Sequence, residues 1–253
     1  MCVGPGCGIG GSKTGYFWDN PAVLSGLGKL SFIGAEERDW YLGYQGIIRY
    51  NNGTAGFEGL HSVMLARSFK ENKGIGGGIF ENGDFNDRWT EYLVAGGMAI
   101  DEYNGIGVSA GLKQYNVEGV NPVLIAHLGY MRIINHGLRM DVILRNIKYL
   151  SVGIYKKFNV NANDISVYGC IDNLLGFPAT NWSVWEIAPK PMVGCYYTMR
   201  NVTLQLNVRY LDGDGWPVSF GGAVALGKYT LSCMYEYVSN DIDNLLLRAE
   251  VIW

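Results

Sequence analysis

No stretch of this chain reaches the roughly 18 consecutive apolar residues that a membrane-crossing helix requires. Charge is scarce as well. Asp, Glu, Lys and Arg together make up 17% of the 253 residues, where about 25% is usual for a soluble domain. Proline is limited to 7 positions and histidine to 3. A formal net charge of −3 leaves no basic footprint for nucleic acid. Cysteines stand at 2, 7, 170, 195 and 233. They form no CxxC pair and no Cys/His cluster, so neither a metal nor another cofactor is expected. A helical membrane protein, a nucleic-acid binder and a zinc domain are thereby excluded. The 48% of residues that are apolar must be hidden in some other way.

What the chain has in plenty is alternation. Its 36 glycines and 17 tyrosines punctuate segments of period two, the period of a strand with unlike faces. In "VTLQLNVRY", Val202, Leu204, Leu206, Val208 and Tyr210 fall on one side, and Thr203, Gln205, Asn207 and Arg209 on the other. "GIGVSAGLK" sets Ile106, Val108, Ala110 and Leu112 against Gly107, Ser109, Gly111 and Lys113. "LRMDVILR" sets Leu138, Met140, Val142 and Leu144 against Arg139, Asp141, Ile143 and Arg145. "YTLSCMYEY" sets Tyr229, Leu231, Cys233, Tyr235 and Tyr237 against Thr230, Ser232, Met234 and Glu236. Turn signals such as "YNNGTAG", "FKENKGIGG", "DEYNG", "INHG" and "LDGDGWP" separate them. About fourteen strands fit from Lys29 onward, with about twelve the alternative; roughly 16 residues per strand and turn suit membrane strands of ~9–11 residues. The runs "GIGGSKTG" and "GIGGG" lack the GxxxxGK[ST] spacing of a phosphate loop and read as loop glycines.

The chain finishes "NLLLRAEVIW", with Leu245, Leu247, Ala249, Val251 and Trp253 opposite Leu246, Arg248, Glu250 and Ile252. Two architectures separate oil from water in this manner. In a soluble sandwich the oil is the core; in a transmembrane barrel it is lipid. Low charge favours the barrel, where lipid-facing and lumen-facing residues cancel in any average. The fold class expected is therefore all-β, a single antiparallel transmembrane β-barrel over residues 29–253 behind an N-terminal segment, 1–28. No helix longer than "NPAVLSGL" is expected. The last strand should pair with the one beginning near Lys29, leaving no free edge. Parity places Lys113, His127, Arg139, Arg145, Gln205, Asn207, Arg209, Glu236, Arg248 and Glu250 in the lumen. Trp40, Tyr41, Tyr50, Trp89, Tyr92, Tyr115, Tyr130, Trp216, Tyr237 and Trp253 lie near segment ends, as an interfacial aromatic girdle would.

Near the start, "TGYFWDNPAVLSGLGKL" carries Asn20-Pro21-Ala22 after Tyr16, Phe17 and Trp18. This resembles the "fwNPAgLa" entrance of FadL-type outer-membrane barrels, and especially the PorV/PorQ family. "GVSAGLKQY" resembles that family's middle strand. "ISVYGCIDNLLGF" followed by "WEIAPKPMVGCYY" resembles its "NLlG" strand, a connection containing proline, and the next strand. The terminal aromatic resembles an assembly signal, with Trp253 in that role. The likeness runs from about Gly10 to Trp253, but this chain is short for the family and reads "APKP" where leucine-proline is usual. It implies a bacterial outer-membrane location and a plug-like N-terminal segment. Pro21 fixes its own backbone and holds Asn20 extended, and three aromatics are costly to leave in water.

Enzymatic chemistry finds little support. His136 sits in a turn signal. His127 has no acid in its strand. His61 and its neighbour Ser62 point to opposite faces and cannot form a dyad. The first residues carry neither a charged start nor an apolar stretch; a removed leader is expected, with lipidation of Cys2 a lesser alternative. Cys2 and Cys7 are close enough in "CVGPGC" for a small disulfide loop, while Cys170, Cys195 and Cys233 read as apolar fillers. The function expected is a narrow plugged channel or binding barrel for small hydrophobic or amphipathic molecules, with membrane lipid around it. The PorV/PorQ likeness implies the alternative of a non-catalytic accessory barrel that meets secretion or surface-attachment proteins. A soluble all-β binding protein is the third reading.

Overall fold

A computed structural model describes residues 20–25, 40–51, 56–69, 73–83, 88–116, 119–135, 137–160, 163–172, 174, 190–209, 216–237 and 242–252. The strands are β1 (Trp40–Asn51), β2 (Gly56–Phe69), β3 (Lys73–Gly83), β4 (Arg88–Ala99), β5 (Asn104–Tyr115), β6 (Val123–Asn135) and β7 (Leu138–Arg145). They continue as β8 (Tyr149–Val160), β9 (Asn163–Asp172), β10 (Lys190–Met199), β11 (Val202–Arg209), β12 (Val218–Leu226), β13 (Tyr229–Tyr237) and β14 (Ile242–Ile252). All 14 pair antiparallel with their sequence neighbours, and β14 returns to β1 to close the barrel. The closing register runs from Tyr41–Ile252 to Asn51–Ile242. Closure gives each strand a neighbour on both sides and leaves no open sheet edge, which a wall immersed in lipid requires.

Alternation decides which side chain faces which medium. Leu204 and Leu206 are 56% and 46% exposed on the outer wall, whereas Gln205 and Asn207 are 4% and 5% exposed inside. Val94, Val108, Leu124, Ile154, Val193 and Leu231 extend the outer apolar belt around the barrel. Arg139, Asp141, Arg209, Glu236, Arg248 and Glu250 are buried in its interior. A soluble sandwich has the opposite arrangement, and a belt of this size facing water would aggregate. The barrel is therefore transmembrane, and the soluble reading is set aside.

Connections at one end, the turn end where β1 starts and β14 finishes, have two to four residues. Those at the other, the loop end, run from three to 17. In the β4–β5 turn, Asp101 Oδ1 accepts N–H groups of Tyr103 and Asn104 at 2.7 Å each. The Asn104 side-chain amide, and then the Tyr103 N–H, hold that carboxyl below its ordinary range.

Several expectations change. The "GIGGG" glycines lie in β3 and not in a loop. Tyr41 is 3% exposed inside the barrel, against Leu24, Met64, Ala66 and Phe80. Trp89 and Tyr115 share the inward parity of Leu93 and Ser109. These three aromatics therefore leave the girdle, because strand parity overrides nearness to a strand end. Trp40, Tyr50, Tyr92, Tyr130 and Tyr237 keep the outward parity, and Trp216 is exposed ahead of β12. Pro191 stands inside β10, opposite Ile171, and not in a connection. The first described strand begins at Trp40. The barrel start at Lys29, Trp253, His136, Cys2, Cys7 and the aromatics Tyr16, Phe17 and Trp18 lie outside the described residues.

Candidate functional site

The inner face of β3–β6 is bare along one line. Gly74 is in register with Gly97, Gly97 with Gly107, and Gly107 with Gly129. Parity turns all four inward. On this line rests the backbone of a short 3-10 helix, Pro21–Ser25, whose five residues are buried. A Cβ at Gly107 would lie 2.2 Å from the Pro21 carbonyl carbon, and at Gly97 2.6 Å from the Pro21 oxygen. At Gly74 it would meet Leu24 O at 2.6 Å, and at Gly129 the Asn20 Oδ1 at 2.1 Å. No side chain fits between the wall and this segment, so glycine is needed for close approach of two backbones.

Local chemistry builds the segment. Asn20 caps it: the Ala22 N–H donates to Asn20 Oδ1 at 3.0 Å, and the Val23 N–H to Asn20 O at 3.1 Å. Pro21 follows at the first helical position, where its fixed φ suits a helix and its missing N–H costs nothing. Ala22 and Val23 then pack on Met131 and Ile133, and Leu24 on Tyr41, Met64, Ala66 and Phe80. Asn20 Nδ2 reaches across to β7 and donates to Asp141 Oδ1 at 3.2 Å. Asp141 Oδ2 accepts from Arg139 Nε at 2.9 Å and from its terminal nitrogen at 2.8 Å. Asp141 is 2% exposed and Arg139 is 7%. Asp141→Ala will leave that guanidinium buried without its carboxylate, at a cost of about 3–5 kcal/mol, measured as a lowered denaturant midpoint in detergent. Arg139→Leu combined with Asp141→Leu will restore most of it.

A second wall faces inward from β8–β10. Tyr155, Tyr168, Cys170, Met192 and Tyr196 form one buried cluster. Tyr168 and Tyr196 stack with centroids 5.3 Å apart and planes at 27°. Their polar tips are tied to the wall. Tyr155 donates to Ser166 Oγ at 2.5 Å, Tyr168 donates to Asn207 Oδ1, and Gln205 Nε2 donates to the Tyr196 hydroxyl at 3.5 Å. The faces left over are apolar. Arg139 lies 5.5 Å from the Tyr155 centroid and so borders both walls.

The charges chosen from the sequence fall around the interior and do not form one cluster. Arg209 pairs with Glu236 at 3.0 Å, and Glu236 also accepts from Asn244 at 2.9 Å. Arg248 lies 3.9 Å from Glu250 and donates to Gln45. Asn207 donates to Ser219 at 3.1 Å. Lys113 lies 4.0 Å over Trp89 and 4.9 Å over Tyr115 towards the loop end. His127 faces Arg145 across the β6–β7 ladder, and its Nδ1 accepts the Asn146 N–H at 3.2 Å. His61 points outward, with Nδ1 2.7 Å from the Tyr44 hydroxyl. Arg139, Arg209 and Arg248 thus each lie by a carboxylate, and the described interior charges form no single-sign ring of the kind that selects ions.

The described wall has a seam between β2 and β3. Pairing of β2 with β3 runs from Phe69–Lys73 to Ser62–Phe80 and stops, although β2 extends back to Gly56 and β3 on to Gly83. Side chains take over there. The His61 N–H donates to Glu81 Oε2 at 2.9 Å, and Arg88 donates to Gly59 O and pairs with Glu81 at 3.2 Å. Backbone groups at a membrane wall must find partners, and here movable side chains supply them.

The glycine line, Asp141 as the partner of Asn20, and the tyrosine wall were not among the residues expected to carry function. Inward glycines at period two on adjacent strands, in "KGIGGG", "AGGM" and "NGIGV", were the available signal for the first.

No protein-family model matches the chain, and neither does any curated protein. Solved structures do. The toluene transporter TbuX of Ralstonia pickettii matches with a TM-score of 0.65 at 12% identity, over 98% of this chain and 97% of that one. The toluene transporter TodX of Pseudomonas putida gives 0.60 at 10% identity, over 96% and 95%. A FadL homologue of Pseudomonas aeruginosa gives 0.61 at 7% identity, over 93% of each chain. The fold is that of FadL-type outer-membrane barrels. The narrower PorV/PorQ likeness has no counterpart among these three.

Proposed function

We propose that the protein is a narrow channel of the bacterial outer membrane for small hydrophobic or amphipathic molecules, with residues 20–25 as its plug. The observation that carries this reading is the Pro21–Ser25 backbone seated on the line Gly74–Gly97–Gly107–Gly129. A barrel that served only as a passive scaffold has no need to clear side chains from four adjacent strands for an internal segment. The tyrosine wall supplies apolar faces beside the plug, and a neutral solute loses little by passing paired charges. The seam between β2 and β3 is the place where such a solute would leave sideways, since side chains there can part without breaking a ladder. Two of the three structures reported above are toluene transporters, which agrees with an apolar cargo. The accessory-barrel alternative gains no observation of its own.

The test is uptake of a radiolabelled small apolar molecule by cells whose outer membrane contains or lacks the protein. Faster uptake in its presence is expected. Equal rates with correctly inserted protein would contradict a transport role.

A further inference from the structure

On the outer wall at the turn end, β1–β3 gather two rings and two cations. Trp40 and Arg67 are register partners across β1 and β2. Phe69 follows Arg67 on the same face and is the partner of Lys73 on β3. Arg67 Cζ lies 4.8 Å from the Trp40 centroid and 5.2 Å from that of Phe69. This placement puts the guanidinium within cation–π distance of both rings. Its Nε is buried with no hydrogen-bond partner among the described residues. No described carboxylate pairs with Arg67. Lys73 is exposed one diagonal step away, within reach of a shared ligand for long side chains.

The surroundings select the ligand. Towards the barrel's middle the same face continues as Leu65 and Ile75, 41% and 53% exposed, which are part of the belt that acyl chains cover. Arg67, at the rim of that belt and with no described carboxylate, calls for an anion at headgroup depth. A phosphodiester suits a planar guanidinium with an ammonium beside it, through charge-assisted hydrogen bonds. The rings anchor the interface. Short turns mark the inner side of outer-membrane barrels, where the leaflet is phospholipid.

We propose that Trp40, Arg67, Phe69 and Lys73 form a binding site for the phosphodiester headgroup of a phospholipid, with its chains along Leu65 and Ile75. A free phosphate would use the two cations but gain nothing from the belt, so the lipid is the occupant.

The test is native mass spectrometry of the full chain in a neutral detergent, titrated with dioleoyl phosphatidylglycerol. Arg67→Ala with Lys73→Ala is expected to weaken the tightest lipid-binding step about 25-fold, at about fivefold per cation removed. Arg67→Lys, which keeps the charge, should lose far less. Arg200→Ala, a cation in the β10–β11 turn, should lose nothing. Heat-modifiable gel mobility checks folding of each variant; if the double variant does not fold, Lys73→Ala alone should still show its fivefold loss. Unchanged lipid binding in folded variants would overturn the site. Displacement of the lipid by inorganic phosphate at equal concentration would overturn the lipid as its occupant.

Discussion

Gly107→Val will unseat the 20–25 segment and leave the 14-strand wall closed. The Cβ alone would stand 2.2 Å from the Pro21 carbonyl carbon, 2.3 Å from its oxygen and 2.4 Å from the Ala22 nitrogen. All three are backbone atoms, so no rotamer change relieves the clash. Either the wall or the segment must move. The wall at Gly107 is paired on both sides, with Gly97 and Gly129, whereas the segment is held by apolar contacts and the Asn20–Asp141 bond. The segment is the weaker partner. Overpacking a well-filled interior costs about 1–3 kcal/mol, comparable to what those few contacts supply. The expected result is unchanged strand content by circular dichroism together with a leak of small polar solutes from liposomes at least about tenfold above that of the parent, one factor of ten per ~1.4 kcal/mol. Gly119→Val in the β5–β6 loop, where nothing lies within 4 Å of an added Cβ, should leave the leak unchanged. Its φ of +83° strains only that loop.

Leu206→Arg will hinder insertion, and Gln205→Arg will do so much less. The two residues are neighbours in β11, 46% and 4% exposed on opposite sides of the wall. An arginine facing lipid near the midplane costs about 2–4 kcal/mol. At 205 the new side chain replaces another long polar one in an interior already carrying Arg209, Asn207 and Glu236. A refolding titration into lipid vesicles should show a large downward shift of the denaturant midpoint for the first variant and a small one for the second. Equal shifts would mean that the sides of the wall are assigned wrongly.

Closure, strand number and the sides of the wall were legible because they rest on local regularities. Period-two alternation in β11, β5, β7 and β13 is visible within nine residues. The seat of the 20–25 segment was harder to read. "GIGGG" looked like a loop because the reason for its glycines, the Leu24 carbonyl against Gly74, lies in a distant part of the chain. Asp141 stood in a recognised inward row, but its partner Asn20 is 121 residues away. Tyr41, Trp89 and Tyr115 were placed at the membrane interface on nearness to a strand end, while parity, the stronger rule, turns them inward. The tyrosine wall depends on registers among β8, β9 and β10 that no single strand reveals.

Cys170 allows the central claim to be tested from inside the barrel. It forms no disulfide and is 5% exposed in the tyrosine wall. In a chain with Cys2, Cys7, Cys195 and Cys233 replaced by serine or alanine, its labelling by a small neutral maleimide can be compared with labelling by a charged, water-soluble thiol reagent. If the interior is an apolar path closed to polar solutes by residues 20–25, the neutral reagent will react faster, an apolar cargo will slow it, and Gly107→Val will admit the charged reagent. Equal reaction of both reagents, with no effect of cargo or of Gly107→Val, would contradict that account.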